Sequence, residues 1–206
     1  MAVLVLGVTA TSLSAETVIL AFGDSLTQGY GLAPDKGFVA QLQAWLTDAG
    51  EDVRLINAGV SGDTTAGGAA RLGWSLTEDI DAVIVELGGN DMLRGLPPEE
   101  AKANLAAILS EITERGLPVL LVGLPAPGNF GPAYKADFET LYPALAEEYG
   151  VLLYPNFMAA LTSQGDRDAA LRSFMQGDGV HPNAAGVARI VAAMGPKMRE
   201  LVKAAQ

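Results

Sequence analysis

His181 is the only histidine in a chain of 206 residues that has no cysteine. A single histidine rules out a multi-histidine metal centre, and the lack of cysteine rules out disulfides, thiolate metal sites and a thiol nucleophile. What His181 can still do is move protons. Asp178 lies three residues upstream, in a turn carrying Gly177 and Gly179. An aspartate bonded to Nδ1–H fixes the imidazole tautomer and leaves Nε2 free as a base. Pro182 disfavours helix at His181, and Asn183 is a suitable N-cap for a helix that follows. A base of this kind needs a nucleophile, which without cysteine is a hydroxyl. Ser25, between Gly23 and Gly29, is the candidate. An acyl-transfer site must also hold an oxyanion, and backbone N–H groups or a neutral amide do so without adding charge. Gly62, in the turn Gly59-Val60-Ser61-Gly62-Asp63, and Asn90, in Gly88-Gly89-Asn90-Asp91, supply those donor types. Each of these residues alone has an ordinary reading as a turn, a cap or a core position. Their order along the chain sets them apart.

Composition narrows the field further. Lys and Arg number 13 against 24 Asp and Glu, for a net charge of −11. No basic footprint for nucleic acid exists, and anionic lipid would be repelled. Half the residues are hydrophobic and only 18% are charged, which fits a packed core rather than a disordered chain.

The elements that must position these residues alternate regularly. Apolar runs at Val18–Phe22, Val53–Ala58, Ala82–Val85, Pro118–Val122 and Val151–Tyr154 read as buried strands. Between them, apolar residues recur at helical spacing. Phe38, Leu42, Trp45, Leu46 and Ala49 form one stripe, closed by Gly50. Leu105, Ile108, Leu109 and Ile112 form another, behind Pro97-Pro98. Phe138, Leu141, Tyr142 and Leu145 form a third, and Val187, Ile190, Val191, Met194 and Leu201 the last. Alternation of this kind predicts an α/β chain with a five-stranded parallel sheet in flavodoxin-like order 2-1-3-4-5, covered by helices on both faces. Sites in such sheets lie beyond the carboxyl ends of the strands, and the polar, glycine-rich stretches follow strands one to three. The stretch holding His181 enters the last helix from a loop and can reach the same rim.

The ordered set Gly23-Asp24-Ser25-Leu26, Gly62, Gly88-Gly89-Asn90-Asp91 and Asp178-Gly179-Val180-His181-Pro182 resembles the GDSL or SGNH hydrolase family. Val85 to Asp91 with Leu93-Arg94-Gly95, then Leu124-Pro125, are similar to its bacterial thioesterase/lysophospholipase/arylesterase branch. The resemblance runs from about Thr17 to the C-terminus. It implies a three-layer α/β/α SGNH hydrolase fold and a serine esterase that needs no cofactor. In that reading Ser25 is the nucleophile, His181 the base and Asp178 its orienting acid. The Ser25 N–H, the Gly62 N–H and the Asn90 side chain form the oxyanion hole. Asp24 and Asp91 take turn and support roles. Met92–Leu96 is expected as a loop at the acyl cleft, and Leu124–Phe130 as a second wall. Leu93, Leu124, Pro125 and Phe130 are the expected substrate contacts. The partner is a small ester or thioester, with no nucleic acid and no stable membrane insertion. A carbohydrate acetyl esterase is the alternative within the enzyme class. Outside it stand a catalytically dead glycan-binding relative and a flavin- or nucleotide-binding module. The intact Ser25, Asp178 and His181 speak against the first; the lack of a phosphate-binding glycine motif speaks against the second.

Met1–Ala15 carries no charged side chain. The run is short for a membrane span and fits the apolar part of a signal peptide, although the usual basic start is missing. Ser12 and Ser14 fit cleavage before Ala15, and cleavage after Ala15 is the other choice. A signal there, with one hydrolase domain over 16–206, predicts a periplasmic or secreted protein. The competing reading is an extra strand or an unstructured tail.

Overall fold

The computed structural model describes residues 16–162 and 172–206. The expected signal segment, Met1–Ala15, lies outside the described residues. Five strands form one parallel sheet: β1 (Thr17–Gly23), β2 (Val53–Gly59), β3 (Ala82–Glu86), β4 (Val119–Val122) and β5 (Leu152–Tyr154). Their spatial order is β2-β1-β3-β4-β5, the order expected from the alternation. Every residue of β1, β3 and β4 is buried, which explains why those runs are apolar throughout rather than alternating. β2 and β5 lie at the edges and are only partly covered.

Among the described residues the helices include α1 (Ser25–Gln28), α2 (Phe38–Asp48), α3 (Thr65–Ser75), α4 (Gly89–Arg94), α5 (Pro98–Glu114), α6 (Pro132–Tyr149), α7 (Ala159–Thr162) and α8 (Ala184–Ala205). α2 and α8 pack together on one side of the sheet, while α3, α5 and α6 pack in series on the other. The resulting three layers enclose a core that includes Phe22, Leu42, Leu87, Leu109, Phe138 and Ile190. The stripes of α5, α6 and α8 are buried in their helices; in α2, Phe38, Leu42 and Leu46 are buried, while Trp45 is only partly covered and Ala49 is the exposed cap that ends the helix.

Two differences from the sequence reading bear on the site. Met92–Leu96 was expected to be a loop, but its first three residues continue α4. Gly88 turns the chain with φ of +118°, and one and a half turns of helix follow until Gly95 ends it. α3 has no counterpart in the periodicity. Gly67 and Gly68 are poor helix formers, yet Thr64 caps the helix, its side chain accepting from the Gly67 N–H.

Candidate active site

The chain after β1 turns directly into α1, with Asp24 as its N-cap accepting from the Leu26 N–H at 3.0 Å. Ser25 is therefore the first residue of a helix that starts at the carboxyl end of a central strand. Across the rim, the loop before α8 brings in His181. Asn183 caps α8 by accepting from the N–H groups of Ala185 and Gly186, each at 3.0 Å, and its amide donates back to Ser173 and Met175. Gln176 ties the loop to the Ser25 side: its amide donates to the carbonyls of Tyr30 at 2.8 Å and Pro182 at 3.0 Å. The Tyr30 ring lies against the imidazole, with centroids 4.8 Å apart.

These supports bring Ser25 Oγ to 2.8 Å from His181 Nε2 and His181 Nδ1 to 2.7 Å from Asp178 Oδ2, although Ser25 and His181 are 156 residues apart in sequence. The other Asp178 oxygen accepts from the N–H groups of Val180 at 2.9 Å and His181 at 3.0 Å. Those bonds, above all the backbone N–H and ring of His181, hold the Asp178 carboxyl down at about 2. An ionised Asp178 can only accept, so Nδ1 carries the proton and Nε2 is left to accept from the Ser25 hydroxyl.

Asn90 sits in the first turn of α4 and points its amide toward the same place. Nδ2 donates to Asp24 Oδ2 at 3.1 Å, which fixes the amide's orientation. Gly62, with φ of +86°, lies in the loop after β2. The Arg94 guanidinium, at the end of α4, donates to its carbonyl at 2.7 Å and so joins the loops that carry Gly62 and Asn90. Asp91 is buried and accepts from Thr65 twice, through its N–H at 2.8 Å and its hydroxyl at 2.6 Å, locking α4 to the start of α3.

Residues 21–189 match the model of the GDSL-like lipase/acylhydrolase family. The chain belongs to that family. It is a serine hydrolase of ester bonds. It is 38% identical over 193 residues to the esterase TesA of Pseudomonas aeruginosa, covering 93% of this chain and 92% of that one. To the thioesterase 1/protease 1/lysophospholipase L1 of Escherichia coli K12 it is 36% identical, covering 82% and 77%. Among solved structures it is similar to AlinE4, an SGNH-hydrolase family esterase, at 44% identity and a TM-score of 0.73, covering 92% of this chain and 98% of AlinE4.

The Ser25–His181 pair of this GDSL-family chain opens onto a cleft of about 280 Å³. Leu93, Leu124 and Pro125 line it, as do Asn90 and Gly89. Phe130 does not. Its ring packs over Gly95 and against Tyr134, with centroids 5.2 Å apart, so it braces the end of α4 instead of facing the cleft. Gly62 also stands outside the lining, at the edge formed with Arg94. The sequence reading missed Met158, Leu161, Met175 and Val180, which form much of the apolar wall. No periodic or motif signal marks them; Met158 and Leu161 follow β5, Met175 precedes the histidine loop, and only the fold brings them together. Val180 alone was within reach, since it sits inside the histidine motif.

Proposed function

We propose that Ser25 is the acylated nucleophile, His181 the general base and Asp178 the residue that orients it. The Ser25 N–H, the Gly62 N–H and the Asn90 amide stabilise the oxyanion. The observation that carries this reading is the unbroken hydrogen-bonded series Asp178–His181–Ser25 at the mouth of an apolar cleft. Ser25 Oγ attacks the acyl carbonyl carbon as His181 Nε2 takes its proton. The tetrahedral oxyanion is held by neutral donors, which stabilise its charge without a counter-ion. Collapse breaks the C–O or C–S bond, and the leaving alcohol or thiol takes the proton from His181. Water then enters, loses a proton to His181 and attacks the acyl-enzyme. Ser25 leaves with that proton restored.

The substrates are esters or thioesters with an apolar acyl or aryl group. Leu93, Leu124, Pro125, Met158 and Leu161 offer that group dispersion contacts and no hydrogen bonds, which favours hydrocarbon over sugar hydroxyls. The relatives named as esterase and as thioesterase/lysophospholipase support both leaving-group types. The uncharged run Met1–Ala15 is an export signal in this reading, and the mature enzyme works in the periplasm or outside the cell. The deciding experiment is a hydrolysis panel of p-nitrophenyl esters from acetate to palmitate, aryl acetates, acyl-CoAs, lysophospholipids and acetylated sugars. Turnover that rises with acyl length from acetate supports the reading. Turnover confined to acetylated sugars overturns it.

A further inference from the structure

Directly beneath the nucleophile lies a buried acidic pair that takes no part in the proton relay. Glu86 ends β3 and its side chain is fully enclosed. Oε2 accepts from the Thr27 hydroxyl at 2.8 Å. Oε1 is equally enclosed and has no hydrogen-bond partner among the described residues. Glu86 stands opposite Gly23 in the register of β1 and β3, so Asp24 is the next residue along from its strand partner. A Cβ at Gly23 would fall 2.1 Å from the Thr27 hydroxyl oxygen and 2.6 Å from the Glu86 carbonyl. The first glycine of the Gly-Asp-Ser-Leu motif is what lets α1 and the end of β3 close around this pair.

The groups that face the pair add no compensating base of their own. Asp24 and Glu86 act on each other, Tyr142 reaches in from α6 with its hydroxyl donating to the Leu87 carbonyl, and Asp91 adds a further carboxyl beside Tyr142. Among the described residues the cations at hand are His181, which acts on Asp24, and Arg71, whose guanidinium donates to the Gly23 carbonyl at 2.9 Å but pairs with Asp63. No lysine or arginine among the described residues forms an ion pair with either carboxyl. Two adjacent carboxylates enclosed without a cation cannot both stay ionised at modest cost. Asp24 has a donor on each oxygen, Leu26 N–H and Asn90 Nδ2. Glu86 has the Thr27 hydroxyl on Oε2 and the backbone N–H groups of Asp24 and Thr27 beside it, but it is fully enclosed and its Oε1 is left without a donor. The proton therefore belongs on Glu86.

We propose that Glu86 is a positioning residue: as a neutral acid it keeps the neighbouring Asp24 ionised, and Asp24 in turn aims the Asn90 amide at the oxyanion. Burial supports this by raising both groups, Asp24 to about 6 and Glu86, which also feels the charge of Asp24, well above the ordinary carboxyl range. The protonated Glu86 carboxyl donates to the Asp24 carboxylate and so favours its ionised form. Without that donor a proton moves onto Asp24, which would then offer Asn90 a donor where it needs an acceptor. The inference rests on Asn90 being an oxyanion donor, as proposed above.

The test is a double-mutant cycle on the full chain with a p-nitrophenyl ester. Glu86→Leu keeps the volume and removes the acid; it should lower kcat about tenfold or more with KM unchanged, as for a displaced catalytic group. Glu86→Gln places a neutral amide in the same shape, able to accept from Thr27 and donate toward Asp24, and should recover most of that loss. In an Asn90→Ala background Glu86→Leu should cost little more, because its effect passes through Asn90. The infrared C=O band of a protonated carboxyl should be present at neutral pH and lost in Glu86→Gln. Glu86→Gln as slow as Glu86→Leu, full additivity with Asn90→Ala, or a missing infrared band would each overturn the inference. The infrared comparison stands if Glu86→Leu fails to fold. Asn90→Ala at wild-type kcat would remove the oxyanion reading itself, whereas an impaired Asn90→Ala beside a normal Glu86→Leu removes only the role of Glu86.

Discussion

The Ser25 hydroxyl faces the one imidazole in the chain, so its chemistry has no understudy. Treatment with an organophosphonate should leave its adduct on Ser25 by mass spectrometry, and Ser25→Ala should take up none; an adduct on Ser61 with Ser25→Ala still active would reassign the nucleophile. Asn90 makes a second prediction. In the proposed oxyanion hole its second amide hydrogen gains most when the carbonyl oxygen becomes an oxyanion, so its loss is expected in the transition state. Asn90→Ala should lower kcat roughly 10²–10³-fold, about 2.7–4 kcal/mol, with KM little changed. Asn90→Asp should do no better, since an ionised carboxylate has no donor and would stand beside Asp24. A normal kcat with a lowered Tm would make Asn90 a loop cap only. At this scale the sequence was most informative where chemistry restricts residue type: one histidine and no cysteine left few choices for base and nucleophile. It was least informative where any apolar residue would serve. Phe130 and Met158 look alike as loop residues, yet one braces α4 and the other lines the cleft.

At the scale of elements, the site depends on how closely α1 sits against the ends of β1 and β2. Gly59, the last residue of β2, is in van der Waals contact with α1, and a Cβ there would fall 2.2 Å from the Gln28 backbone nitrogen. Backbone cannot rotate away as a side chain can, so Gly59→Ala must push α1 and Ser25 off the sheet. The expected cost is about 1–3 kcal/mol of stability, with a loss of kcat beyond what folding explains. Gly50→Ala is the control: its φ of +81° makes alanine strained, but nothing lies within 4 Å of the new Cβ. That variant should lose stability in thermal unfolding and keep its kcat. Equal kcat losses in the two variants would show that the packing of α1 is not what matters. The long elements were legible because each buries a face, so apolar residues recur with the period of the element. α1 and α4 have four and six residues, too few to show a period, and both were hidden inside the motifs. α3 was hidden for the opposite reason: its sequence disfavours helix, and capping by Thr64 with packing on β1 and α5 overrides that preference.

Over the whole molecule, charge and burial act on stability in the same direction. The chain carries −11 at neutral pH with a pI near 4.4, so self-repulsion weakens as the medium is acidified toward mildly acidic pH. The buried pair adds a contribution that salt cannot screen. Asp24 is raised to about 6 from 3.8, so the stability tied to its neutral form is complete below about 3.8 and lost as pH rises through about 6. Glu86 is raised further, and its share is lost at higher pH still. Asp178 has the opposite sign. Its carboxyl is lowered to about 2, so its contribution is present above about 3.8 and disappears only as pH falls through about 2. Between about pH 5 and pH 8 the self-repulsion and the enclosed pair act together, and Tm should fall as pH rises. Calorimetry in low salt and in about 0.5 M NaCl separates the sources, because the Debye length shrinks to a few ångströms and exposed charges stop interacting. Salt should reduce the pH slope without removing it. Glu86→Gln, which cannot ionise, should remove much of what salt leaves. A Tm that rises from pH 5 to pH 8, or a slope abolished by salt alone, would mean that the enclosed carboxyls carry no proton and that surface charge sets the stability of this enzyme.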